Sequence, residues 1–316
     1  MVYVDALARV VPVLLLFVLG ALLRRRSVIR ADTVDDLRSI VLKLALPSAL
    51  FLTFLRVSLE PRYLWIVASV FAACVIVLIA GRWIGRAIRV PSPLLPALLT
   101  GFEAGMLGYA IFGATFGSAE LYRFAIVDIG QVTFVFFVLA TFLARGSTGE
   151  MPSWRATGLS FVRTPVILGI AGGIIGSLVG LGSFLDGSSM GKAALDTLSL
   201  LASLTTPLIA LVIGYGTRLS WGSLGRPIRT VAVRLAIWVV LAILFDVVVV
   251  DGMLHLDRLQ QAAVMTMAIL PPPFVIPLFV GPDSRWAYAR EEAINTLSLA
   301  TVVTLVAFSL VAVAFA

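Results

Sequence analysis

The chain has 316 residues, of which 60% are hydrophobic and only 13% are Asp, Glu, Lys or Arg. Soluble domains are about half apolar and about a quarter charged, so this composition excludes a disordered chain and argues against a soluble enzyme. The formal charge of +7 sits in short patches between apolar runs, which is the pattern of membrane topology rather than of a nucleic-acid surface. A single cysteine, Cys74, and a single histidine, His255, leave no internal disulfide and no cysteine- or histidine-rich metal site. No metal and no cofactor are expected.

A spanning helix needs about 20 apolar residues, and the apolar runs predict ten of them. In chain order they lie near 7–23, 37–56, 62–83, 94–116, 121–144, 161–182, 193–215, 229–250, 258–280 and 287–315. Membrane strands would be about half as long and would alternate. Asp5 and Arg9 precede the first run and Arg24, Arg25 and Arg26 follow it, the reverse of a cleaved leader, so the run is expected to be a retained helix. Alternate loops hold most of the 24 basic residues, among them Arg24 to Arg26, Arg82, Arg86, Arg145, Arg155, Arg218, Arg226, Arg229, Arg234 and Arg285. The positive-inside rule places these loops in the cytoplasm and both termini outside.

The two halves match weakly. Residues 117–122 can be laid over 281–286, and the same offset sets Asp128 over Glu292 and Gln131 over Asn295. The expected fold is therefore an all-α membrane protein of ten transmembrane helices in two inverted five-helix repeats, 1–144 and 161–316, joined by a cytoplasmic linker at 145–160. Helices 4 and 9 are expected to be broken. The fourth contains Gly101-Phe102-Glu103-Ala104-Gly105-Met106-Leu107-Gly108, whose glycines permit a break, and the ninth contains Pro271-Pro272-Pro273, which removes backbone donors. Irregular backbone inside a membrane survives only against protein or a water-filled cavity, so paired breaks mark a substrate site. The N-terminal ends of half-helices would favour an anion there.

With these motifs the chain resembles the auxin efflux carrier family in its short bacterial form, which is similar in fold to bile acid/sodium symporters. The resemblance rests on Leu44-Ala45-Leu46-Pro47, Phe102-Glu103-Ala104-Gly105-Met106-Leu107-Gly108, Val127-Asp128-Ile129-Gly130-Gln131, the triple proline and Ile294-Asn295-Thr296-Leu297-Ser298. It implies a helix panel beside a transport domain in which the broken helices 4 and 9 cross, movement of organic anions such as dicarboxylates or indole acetate, a bacterial inner membrane, and a homodimer by analogy with plant members. It leaves proton or sodium coupling open. The sequence departs from the family at Glu103, where a small polar residue or Asn is usual, at Ala110, where Pro is common, and after the triple proline, where Val275 replaces an Asn.

The residues expected to bind substrate or to couple transport are Glu103, Gly105, Gly108, Asp128, Gln131, Lys43, Pro271, Pro272, Pro273 and Asn295. Glu103 ranks first, because a carboxylate in low dielectric must be paired or carry a proton. Lys43 is expected to pair with Asp128, to meet the substrate carboxylate, or to snorkel to the interface. Gln131 and Asn295 offer amide dipoles to a ligand or hold structure. Asp246 is expected near the headgroups, and Gly172, Gly173, Gly176 and Gly180 give spacing suited to close helix packing in the scaffold or at a dimer face.

No nucleotide-binding motif is present, so uphill transport would draw on an ion gradient or on the membrane potential. The expected function is a secondary transporter of small organic anions, mono- or dicarboxylates or auxin-like acids, working by alternating access at the crossing. Membrane potential or proton coupling would drive it. A channel and an intramembrane enzyme are the alternatives, and no catalytic residue is expected.

Overall fold

The computed structural model describes residues 2–57, 60–149, 153–217, 224–280 and 284–315, with the side chains of the first helix described from Val10 onward. Among the described residues there is no strand. The helices are α1 (Val2–Arg25), α2 (Ala31–Leu55), α3 (Tyr63–Ala87), α4 (Leu95–Phe116), α5 (Ser118–Ser147), α6 (Trp154–Val162), α7 (Pro165–Leu178), α8 (Leu181–Asp186), α9 (Ser189–Gly216), α10 (Gly225–Asp251), α11 (Arg258–Ile269) and α12 (Ala287–Phe315). Local chemistry sets several of their starts. The Ser188 hydroxyl accepts from Gly191 N at 3.0 Å and the Asp257 carboxylate from Gln260 N at 3.1 Å, each taking up an orphan amide of a first turn. Pro165 opens α7, where its missing N–H costs nothing.

Seven helices are long and apolar enough to cross a membrane among the described residues, or eight if the bent pair α6 and α7 is one span. The chain is thus a multi-span, all-α membrane protein. This count corrects the expectation of ten spans in two inverted five-helix repeats. The apolar run at 258–280 does not make a span, because α11 ends at Ile269 where the prolines begin. Its 12 residues reach about 18 Å at about 1.5 Å each, short of an apolar core of about 30 Å. The run at 161–182 is interrupted between α6 and α7, which meet at 60°. The supposed repeat match of 117–122 with 281–286 falls partly outside the described residues, since 281–283 are not among them.

The buried centre is α4, with 89% of its most apolar window inside the protein, against 28% for α3 and for α10. Around it α1 packs on the second half of α9, α7 on the second half of α2, and α3 on α5. Small residues bring these pairs together: a Cβ at Gly173 would lie 2.7 Å from Phe51 O, and one at Gly214 would lie 2.0 Å from Phe17 O. Of the four glycines expected to pack closely, Gly173 and Gly176 leave no room for a Cβ, Gly172 is in ordinary contact with Phe51, and a Cβ at Gly180 would meet nothing within 4 Å.

Candidate functional site

Two interruptions of helix meet at the centre of the bundle. In α4 the helical hydrogen bonds stop after Leu99 and resume in a π turn, Ala104–Gly108, closed by Gly108 N to Glu103 O at 3.2 Å. Gly101 has φ +65°, a conformation that favours glycine, and a Cβ there would lie 2.9 Å from Pro273 Cγ. Gly108 has no room for a side chain either, because an added Cβ would sit 2.4 Å from Phe124 Cζ and 2.8 Å from Leu270 Cδ1. The second interruption follows Ile269, where Pro271, Pro272 and Pro273 are all buried and none can donate.

Breaking a helix inside a membrane frees backbone groups that water cannot satisfy. Here protein groups take them up. Glu103 N donates to Pro271 O at 2.9 Å, which joins the two breaks directly. The Glu103 carboxylate accepts from Met106 N at 3.3 Å through Oε1 and from Phe274 N at 2.7 Å through Oε2. Phe274 carries the first N–H after the prolines, so one side chain caps the resumed α4 and also holds the far side of the second break. Phe102 N donates to Gln131 Oε1 at 3.1 Å, and Gln131 Nε2 donates to Asp128 Oδ1 at 2.7 Å. Asp128 Oδ2 accepts from the Tyr109 hydroxyl at 2.9 Å. This buried chain of Tyr109, Asp128 and Gln131 ties α5 to α4.

The carbonyls are held from α10 and α12. The Arg234 guanidinium donates to Gly101 O at 2.6 Å, to Leu98 O at 3.2 Å, and to Leu270 O at 3.1 Å through Nη2 and 3.3 Å through Nε. One turn along α10, Trp238 Nε1 donates to Leu99 O at 2.7 Å. Thr304 on α12 donates its hydroxyl to Ile269 O at 2.5 Å. Phe102 lies between the two α10 side chains, with its centroid 4.9 Å from the guanidinium carbon and 4.6 Å from the Trp238 ring.

Glu103 faces a cavity of about 360 Å³. Arg38 and Leu42 of α2, Met106, Val212 and Thr217 at the end of α9, Phe274 and Leu278 beyond the prolines, and Ser298 and Thr301 of α12 also line it. Arg38 is its basic residue; it is part-exposed and paired with Asp35 at 3.0 Å. The wall is otherwise apolar apart from a few hydroxyls, and the volume suits a small molecule with an apolar body and one or two polar groups.

The residues singled out in the sequence divide accordingly. Glu103 lines the cavity, Gly105 is not part of the lining and has nothing within 4 Å of an added Cβ, and Gly108 and the three prolines form the packed junction. Asp128 and Gln131 do not line the cavity; they brace the first break from behind. Asn295 is buried in α12 outside the lining, and Glu292 pairs with Arg226 at 3.3 Å. Lys43 is exposed on α2, and Asp128 has Tyr109 and Gln131 in place of the expected lysine partner. Asp246 is buried in α10, close to the end of that helix at Asp251.

Arg234 is the residue that the sequence reading misplaced. Counted with a cytoplasmic loop, it is 1% exposed within α10. The signal was present, because Arg234 follows Val231-Ala232-Val233 and precedes Leu235-Ala236-Ile237-Trp238, and a charge inside an apolar run is a functional pointer. Arg38, at the start of the second apolar run, also lines the cavity. No protein-family model matches the chain, and no curated protein matches it in sequence. Among the described residues no cluster of three or more His, Cys, Asp and Glu side chains is arranged to hold a metal ion.

Proposed function

We propose that this membrane protein is a secondary carrier of small organic anions with an apolar body, such as mono- or dicarboxylates or auxin-like acids, working by alternating access around the junction of its two helix breaks. The observation that carries the reading is the Glu103 carboxylate, which binds an N–H on each break and faces a cavity of small-molecule size. Broken helices that expose such amides beside a cavity are a recurrent arrangement in secondary transporters. The resemblance to the auxin efflux carrier family in its bacterial, inner-membrane form points the same way.

The chemistry of the cavity suggests how substrate and proton are linked. A substrate carboxylate is drawn to Arg38, while its apolar body lies against Leu42, Met106, Val212 and Phe274. Glu103 already occupies the amides of Met106 and Phe274, and as a carboxylate it repels a second anion. Taking up a proton weakens both hydrogen bonds and removes the repulsion, so the anion enters as Glu103 is protonated and the two travel together. An enzymatic role is less well supported. Acid–base catalysis needs paired groups within about 3 Å of the reacting atoms, whereas Glu103 is engaged by backbone amides and Asp128 by Tyr109 and Gln131.

The test is flux in proteoliposomes over a panel of mono- and dicarboxylates. The expected result is saturable uptake accompanied by proton movement, with a Glu103→Gln protein that still moves anion but no longer moves protons. Absence of saturable flux would refute the carrier. Wild-type pH dependence that survives in Glu103→Gln would refute the coupling.

A further inference from the structure

We infer that Arg234 is a built-in cation, a positioning residue whose guanidinium fills the carbonyl-lined place between the two breaks that an alkali cation would otherwise take, so that transport is independent of sodium and potassium. This rests on the carrier reading for its consequence in transport, but not for its structural content.

The donor set makes the case. Leu98 O, Gly101 O and Leu270 O come from both interrupted helices and converge on one cationic side chain. The C-terminal ends of half-helices carry partial negative charge, and unwound carbonyls at such ends are the usual ligands for a transported monovalent cation. Arg234 is 1% exposed, and its hydrogen-bond partners among the described residues are carbonyl oxygens, with no carboxylate paired to it. Its charge is therefore balanced by the two breaks themselves and by the Phe102 ring. A buried arginine held only for packing would not need the carbonyls of two different breaks. The guanidinium spans them with a planar fork that neither lysine nor a metal ion reproduces in full.

The arrangement complements Glu103. One tethered anion sits on the amides of the junction and one tethered cation on its carbonyls, so both termini of both breaks are neutralised by the chain itself. A free cation then has no vacant carbonyl cluster at this junction to occupy.

Thermal unfolding of the purified, detergent-solubilised protein tests this without any substrate. Wild-type Tm should be the same in sodium, potassium or choline chloride at equal ionic strength. Arg234→Ala should lower Tm and open a cavity lined by carbonyls, and tens of millimolar guanidinium or sodium should then recover at least half of the loss. Arg234→Met, which fills the space without charge, should stay low and unresponsive. Uptake by wild-type proteoliposomes should not change when sodium is replaced by choline. Sodium-specific stabilisation of the wild type, sodium-dependent uptake, or an Arg234→Ala protein that no cation rescues would each overturn the inference. If Arg234→Ala does not fold, Arg234→Lys and the wild-type arms still decide it: the lysine protein, which keeps the charge, should be more stable than Arg234→Met, and a lysine protein no more stable than the methionine one, or any sodium requirement of the wild type, contradicts it. Loss of the carrier reading would appear as absent saturable flux, which leaves the unfolding results intact.

Discussion

Helices α4 and α3 are opposites. Of the seven membrane-length apolar helices among the described residues, α3 is the most apolar and has 28% of its window buried, while α4 is the least apolar and has 89% buried. In a soluble protein the order would be reversed. Lipid is as apolar as a leucine side chain, so the surface of a membrane protein gains nothing from polarity, and the interior can spend its space on polar groups that do work. Ile76 is 65% and Leu64 is 68% exposed on α3, whereas α4 holds Gly101, Glu103, Gly108 and Tyr109 in close contact with α5, α10 and the prolines.

This contrast can be broken most forcefully at Gly108. Gly108→Leu would drive a side chain into Phe124 and Leu270 and separate the two breaks. Overpacking of this kind costs about 1–3 kcal/mol or more, and the expected result is little folded protein by size-exclusion chromatography. Gln131→Leu comes next. It strands the Phe102 amide and removes a donor from Asp128, each loss costing about 1–3 kcal/mol in a buried site. The expected result is a clear fall in Tm together with impaired uptake. Tyr109→Phe removes one hydrogen bond to Asp128 and should cost about 1–3 kcal/mol at most. The smallest effects belong outside. Ile76→Leu on α3 and Lys43→Ala on α2 should each lie within about 0.5 kcal/mol of wild type in Tm, with uptake unchanged. A Lys43→Ala protein with weakened substrate affinity would restore lysine to the site and move its centre toward α2.

The same contrast explains what could be read from the sequence. The membrane class follows from the composition, because apolar surface facing lipid and apolar core both add to the apolar fraction. The two breaks and Glu103 were legible because glycine and proline act locally, through conformations and donors that no tertiary contact can restore. Span number was not, since apolarity alone does not show where a helix stops. α11 ends at Ile269 although its apolar run continues to about residue 280. The role of Asp128 was not legible for another reason. Whether it meets Lys43 or Tyr109 depends on how α5 is rotated against α2 and α4, and periodicity says little about rotation when helices are apolar on most sides. Arg234 was lost to a charge count that treats every basic residue near a helix end as loop.

The central claim is that substrate passes through the cavity beside Glu103, and filling that cavity is its most direct test. Gly216 lines it, and a Cβ added there meets nothing within 4 Å, so Gly216→Phe should fold. The measurement is saturable carboxylate uptake into proteoliposomes at equal protein, comparing Gly216→Phe with Ile76→Phe on the lipid face of α3. The account predicts that Gly216→Phe loses uptake or raises KM at least about tenfold, equivalent to about 1.4 kcal/mol, with Tm preserved, while Ile76→Phe matches wild type. Equal uptake by the two variants would contradict it.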